Sequence, residues 1–187
     1  MYTDNRKFPR EMAIEHCKDF MAWLEKGDRI KAVDTITIAG SLRRGEKEVG
    51  DIELIIVPKF GKQPALFGDP MDISLFETVD LSDYGTVTKN GEKYKRVEIK
   101  TGIGYLGFDI FIVHNKEQYG YIHMLRTGPA DFSKKMVTDK KFGGYKPHNY
   151  HVLDGFVRDD NGIIPVEREE KLFELWGMNY IHPYDRK

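Results

Sequence analysis

Residues 39–57 read AGSLRRGEKEVGDIELIIV, a turn, a charged loop and a strand in succession. The alternating run Thr35–Ala39 delivers the chain to Gly40-Ser41. There a missing side chain lets backbone N–H groups approach an anion, and a hydroxyl adds another donor. Arg43 and Arg44 bring charge suited to a bidentate grip on phosphate. Gly50 then opens a strand that carries Asp51 and Glu53, two residues apart and therefore on one face. A bare Asp-x-Glu reads most readily as a solvated acidic edge, with the two arginines in surface ion pairs. Joined to Gly-Ser and the arginine pair, inside a strand as apolar as IELIIV, the two carboxylates call instead for a cation. Hard divalent ions take oxygen ligands, and phosphoryl transfer favours two of them about 4 Å apart. Two metals ask for a third carboxylate on a neighbouring strand. Asp109, the one charged residue of LGFDIFIV (residues 106–113), meets that need; taken alone, it reads equally well as a capped strand-end Asp.

Working outward, Pro9–Lys26 has a helical period, with Ala13, Cys17, Phe20, Met21 and Leu24 on one face and Gly27 placed as its stop. Lys59–Asp72 is rich in Gly and Pro and reads as a loop. Asn90-Gly91 is a hairpin signal before the strand Lys93–Lys100. After His114 the period changes. Asn115 with Gln118 resembles a helix N-terminus, Gly128 a stop, and Ala130–Val137 a second helix. Gly143–Val157 is mixed and strand-like, and Glu169–Trp176 reads as a last helix ended at Gly177. The order implies an α+β fold in two lobes, residues 1–115 and residues 116–187.

The 187 residues suffice for one ordinary domain or two small lobes, and 40% hydrophobic with 12% aromatic content argues against global disorder. A net charge of −1 excludes binding of nucleic acid by bulk electrostatics and leaves that task to local patches. Lys134, Lys135, Lys140, Lys141 and Lys146 form the better candidate patch, with Phe142 and Tyr145 either stacking on bases or packing beneath the loop. Lys93, Lys95, Arg96 and Lys100 alternate with Glu92 and Glu98 and read nearly as well as a solvated surface. His148 and His151 have near-ligand spacing but no acidic or Cys neighbour, so they read as loop residues. Cys17 is the only cysteine, which excludes an internal disulfide and a cysteine zinc cluster and reads as a buried apolar residue. With no signal-like or membrane-spanning run, the expected compartment is the cytoplasm and no membrane contact is expected.

Gly40-Ser41-x-Arg43-Arg44-Gly45 with Gly50-Asp51-x-Glu53 resembles the nucleotidyltransferase signature of DNA polymerase family X, which includes polymerase beta. The likeness continues through Asp109, Gln118-Tyr119-Gly120, Thr127-Gly128, Phe132 and Met136. It reaches Pro165-Val166, Glu170, Phe173 and the ending Tyr180–Arg186. It implies a polymerase beta-like nucleotidyltransferase palm, a mixed sheet with helices, followed by a small C-terminal lobe that binds nucleotide. Asp51, Glu53 and Asp109 would hold two Mg2+ ions, with Mn2+ an alternative. Gly40, Ser41, Arg44 and Gly50 would bind the triphosphate. Arg126, Thr127, Gly128, Ala130 and Ser133 would line the sugar and base pocket, and Lys134, Lys140, Lys141 and Lys146 would meet DNA. The implied activity is a DNA polymerase transferring a deoxynucleotide to a primer 3′-OH on gapped or recessed DNA, as in repair, by a monomer. The alternatives are the same site with another acceptor (untemplated transfer, RNA, protein or a small molecule) and a binding module without catalysis.

This chain departs from the family pattern at several points. Glu53 stands where Asp is usual, and Gly107 replaces a basic residue two before Asp109, which is thereby expected to lose a neighbour. Leu125-Arg126 replaces an aromatic pair, Ala130 a polar stacking position, and Ser133 the usual Asn. The family's amino-terminal lyase and helix-hairpin-helix regions have no counterpart in these residues.

Overall fold

The computed structural model describes residues 6–64 and 69–186. The fold is mixed α+β, and the chain divides into two compact units. One comprises the chain up to Ile38 together with Lys47–His114; the other comprises Ala39–Glu46 with Asn115 onward.

The first unit opens with β1 (Phe8–Pro9) and α1 (Arg10–Leu24). Ala13, Cys17, Phe20 and Leu24 bury one face of α1, at the three- and four-residue spacing that makes a helix amphipathic. The helix ends at Leu24, earlier than Gly27 suggests; Gly27 instead begins a 3-10 segment, Gly27–Ala32. β2 (Val33–Ile38), β3 (Glu48–Val49) and β4 (Asp51–Pro58) follow. β5 (Phe60–Gln63) and β6 (Met71–Ser74) pair antiparallel, so Lys59–Asp72, read as a loop, is largely a ribbon; its residues 65–68 lie outside those described. β7 (Thr86–Asn90), β8 (Tyr94–Thr101) and β9 (Gly104–Ile112) complete the unit. Among the described residues the main sheet has the order β2-β4-β9-β8-β7. β4 and β9 run parallel and the other pairs antiparallel, a mixed sheet. β4 is a central strand, and Ile52, Leu54, Ile55 and Ile56 are fully buried, which accounts for its nearly unbroken apolar run. Phe108 packs against Phe20 (5.1 Å) and Tyr84 (5.5 Å), an aromatic cluster that anchors the sheet to α1.

The second unit holds the one-turn α2 (Gly40–Arg43), then α3 (Tyr119–Thr127), α4 (Ala130–Val137) and α5 (Glu169–Leu175). An antiparallel sheet joins β10 (His151–Leu153), β11 (Phe156–Asp159) and β12 (Gly162–Ile164). The Asp154-Gly155 turn between β10 and β11 takes positive φ at both residues (52° and 82°), the twist that a two-residue hairpin requires. Within the segment read as strand-like, regular strand begins only at His151, and β12 extends the sheet past it. The core comprises Tyr121, Met124, Phe132, Met136, Val157, Val166, Leu172, Phe173 and Trp176. Trp176 also donates its indole N–H to the Met136 carbonyl at 2.7 Å, so the largest core side chain leaves no polar atom unmet.

Candidate active site

Parallel pairing of β4 with β9 sets Asp51 opposite Gly107 and Glu53 opposite Asp109. Partners across a sheet share a face, so Asp51, Glu53 and Asp109 all project from the side opposite Ile52, Leu54 and Phe108. Antiparallel pairing of β8 with β9 adds Arg96 opposite Asp109 and Glu98 opposite Gly107 on that same face. The family resemblance left Asp109 without a basic neighbour. The fold supplies one from the adjacent strand.

Arg96 Nη1 lies 2.7 Å from Asp109 Oδ1 and 3.5 Å from Asp51 Oδ2, while its Nε bonds Glu98 Oε1 at 3.1 Å. Tyr94 donates its hydroxyl to the same Asp109 Oδ1 at 2.5 Å and stacks on Phe111. The reading of Arg96 as solvated surface or phosphate contact gives way to a role inside the carboxylate cluster, because strand register turns it inward. Lys95, on the opposite face, is buried and donates to the Asn90 side chain, so it too leaves the proposed surface patch.

Arg96 is shared among three carboxylates, Asp51, Glu98 and Asp109. Burial, reinforced by the charge and hydrogen bonding of Asp109, pushes the Asp51 carboxyl up to about 6, and Arg96 only partly opposes the rise. Burial and Asp109 also raise the Tyr94 hydroxyl to about 12, keeping it a donor. The side chains of Asp51 and Asp109 remain 35% and 13% exposed, open enough to be reached. An all-oxygen set in which burial and a neighbouring carboxylate push Asp51 up fits a hard divalent cation. Among the described residues, the three donors that approach within 4.8 Å of one another form a different set, Glu77, Glu92 and His114.

In the second unit, Ser41 and Arg43 lie on α2, and Gly40 enters it with φ 62°. Arg44 caps the turn, donates to the Thr127 carbonyl at 2.5 Å and pairs with Glu46 at 3.6 Å. Arg43 is engaged by protein partners: it donates to the Thr127 hydroxyl and to Glu169 Oε2, both at 2.6 Å. Thr127 is fully buried and donates in turn to the His123 carbonyl. Ser133 is buried with its hydroxyl on the Leu125 carbonyl, whereas Ala130 and Arg126 are exposed. Gly128 caps α3 with φ 67°, and a side chain there would press on Arg44. Gly45 has a similar constraint, since a Cβ would sit 1.9 Å from the Tyr184 ring.

In sequence Glu169 is only the start of the last helix, yet in the fold it is a buried acid with three side-chain donors. It accepts from Arg43, from Arg186 Nη1 at 2.9 Å and from the Tyr180 hydroxyl at 3.1 Å. Burial alone would raise it, but the two guanidinium groups prevail and hold it down at about 2. Arg186 lies over the rings of Phe132, Phe173 and Tyr180.

The lysine patch divides. Lys140 donates to the Trp176 carbonyl, and Lys146 donates to the Tyr150 carbonyl and pairs with Asp139, so both ammonium groups hold the fold. Lys134 and Lys141 are exposed, and Lys141 covers the ring of Phe142, itself 75% exposed. His148 and His151 are exposed too, and burial pushes the Cys17 thiol up to about 11, as an inert core residue requires. No helix among the described residues is long and apolar enough to cross a membrane.

No known family profile matches the chain. It is similar to DNA polymerase lambda of Rattus norvegicus, 25% identical over 159 residues. The likeness covers 79% of this chain and 28% of the relative, so the chain corresponds to a minor part of that polymerase. The chain therefore has a distant likeness to a DNA polymerase.

Proposed function

We propose that this chain is a nucleotidyltransferase of family X type that adds a deoxynucleotide from its triphosphate to a primer 3′-hydroxyl, in gap filling. The observation that supports the reading most is the placing of Asp51, Glu53 and Asp109 on one face of the adjoining strands β4 and β9. These residues would hold two divalent ions, Mg2+ or Mn2+. When bound, such ions supply Lewis acidity to the phosphate and hydroxyl oxygens. In the transfer the primer oxygen bonds to the α-phosphorus, the hydroxyl loses its proton, and the bond to the outgoing pyrophosphate breaks.

Gly40, Ser41 and Arg44 would bind the triphosphate, with Gly50 giving it close backbone approach. Arg126 and Ala130 are the exposed members of the sugar and base set; Thr127, Gly128 and Ser133 would shape that pocket from beneath. Lys134 and Lys141, with Phe142, would touch the primer-template. The reading takes the protein to act as a monomer in the cytoplasm.

Two observations favour a second reading, the same chemistry on another acceptor. Lys140 and Lys146 are engaged within the fold, and the net charge is −1, which leaves few cations for a duplex. Primer extension on single-stranded, recessed and gapped DNA, with Mg2+ and with Mn2+, decides. Templated extension that is strongest on gapped DNA is expected. Turnover of the triphosphate without templated extension would select the second reading, and no metal-dependent turnover would overturn both.

A further inference from the structure

Gly107 is a glycine for a reason outside its own strand. A Cβ there would fall 2.3 Å from Nη2 of Arg96 and 2.7 Å from its Cζ, so the guanidinium occupies the space that a side chain on β9 would take. Glu98 holds Arg96 from the far side through Nε, and the near side meets Asp109 and Asp51 through Nη1. The bonds from Arg96 and Tyr94 converge on one oxygen of Asp109, Oδ1. Two donors on one oxygen fix the rotation of the carboxylate and thus the direction in which Oδ2 points.

We propose that Arg96, seated on Gly107, is a positioning residue that orients Asp109 and supplies the counter-charge of the Asp51–Asp109 pair until a divalent ion takes it over. The proposal rests on the reading of these carboxylates as metal ligands. Two consequences of opposite sign follow. As a cation near a cation site, Arg96 weakens metal binding. As an orienting clamp, it raises the rate once metal is bound.

Arg96→Ala is therefore expected to bind Mn2+ about tenfold more tightly, from the loss of one unit of like charge a few ångströms away. Its kcat should fall about 10- to 100-fold, the usual result of a misplaced reacting group, with little change in KM for the triphosphate. Its Tm should drop in EDTA and recover in saturating Mn2+, because the ion replaces the missing counter-charge. Arg96→Lys restores charge without the planar fork, so Mn2+ affinity should return towards wild type while kcat stays low. Gly107→Ala should displace the guanidinium and reproduce the Arg96→Ala behaviour. The double variant should be no worse than Arg96→Ala alone, since both changes remove one interaction.

Mn2+ affinity by titration and Tm with and without metal need no substrate. If the protein transfers no nucleotide, the functional reading fails while these two measurements still decide the role of Arg96. An Arg96→Ala protein with unchanged Mn2+ affinity, losing Tm equally in EDTA and in Mn2+, would overturn the proposal, as would additive losses in the double variant. Should Arg96→Ala not fold, Arg96→Lys and Gly107→Ala carry the same test.

Discussion

Both units contain arginine bonded to carboxylate, and the two clusters are built to opposite ends. In the second unit one carboxylate, the buried Glu169, meets the guanidinium groups of half-buried Arg43 and buried Arg186, and its carboxyl is held down at about 2. In the first unit one guanidinium meets Asp51, Glu98 and Asp109 in a part-exposed setting, and Asp51 is pushed up to about 6. Two cations on one anion make a strut, whereas three anions around one cation compete for it. The same residue types thus hold the fold in one place and, on the proposed reading, would serve chemistry in the other.

Asp51→Asn and Asp109→Asn break the contrast most severely. Each should reduce nucleotidyl transfer on the order of a thousandfold or more, since ligand loss removes several kcal/mol of transition-state stabilisation. Asp51→Asn should at the same time raise Tm in EDTA, because it removes a charge that burial and then Asp109 disfavour. Steady-state kinetics and thermal unfolding of one purified variant check both halves. Wild-type turnover would end the active-site assignment.

Glu169→Gln attacks the other cluster. It leaves Arg43 and Arg186 without their shared anion and should destabilise by about 3 kcal/mol, the cost of a broken buried pair. Denaturant midpoints measure it, and Glu169→Asp should fall between.

A pH series separates the clusters by sign. The Glu169 carboxyl lies below its ordinary value of 4.5, so its contribution is complete above that pH and is lost as pH falls towards about 2. The Asp51 carboxyl lies above its ordinary value of 3.8, so stability declines as pH rises from there through about 6. Unfolding in EDTA from pH 2 to 7 should show the acid loss vanish in Glu169→Gln and the neutral-pH loss vanish in Asp51→Asn.

The smallest effect concerns Glu53. On the proposed reading its longer side chain would fold back to share a metal with Asp109, and manganese tolerates irregular coordination better than magnesium. A few-fold preference for Mn2+ in wild type should narrow in Glu53→Asp, measured as kcat with each metal at saturation. Equal saturated rates in wild type would remove the basis for this expectation.

Local pattern alone marked much of the fold. Period two in IELIIV and FDIFIV sets Asp51 and Glu53 on one face and singles out Asp109, and the four-residue spacing from Ala13 to Cys17 marks α1. The ribbon of β5 and β6 escaped notice because Gly and Pro suggest a loop wherever no alternation contradicts them. Glu169 was read only as the start of a helix, since nothing near it in sequence announces Arg43 or Arg186. Nothing in the order of residues announces that Lys140 and Lys146 donate to the Trp176 and Tyr150 carbonyls.

Side-chain order alone therefore carries the inventory: which carboxylates share a face, which stretches are helix or strand, and which polymerase family the motifs resemble. Periodicity acts over a few residues and is written into side-chain order. The tertiary structure decided how charges are matched. Strand register brings Arg96 across to Asp109 and leaves Gly107 bare beneath it, and the grouping of Ala39–Glu46 with the C-terminal half delivers Arg43 to Glu169. Those pairings join residues far apart in the chain, and only burial and register bring such charges together.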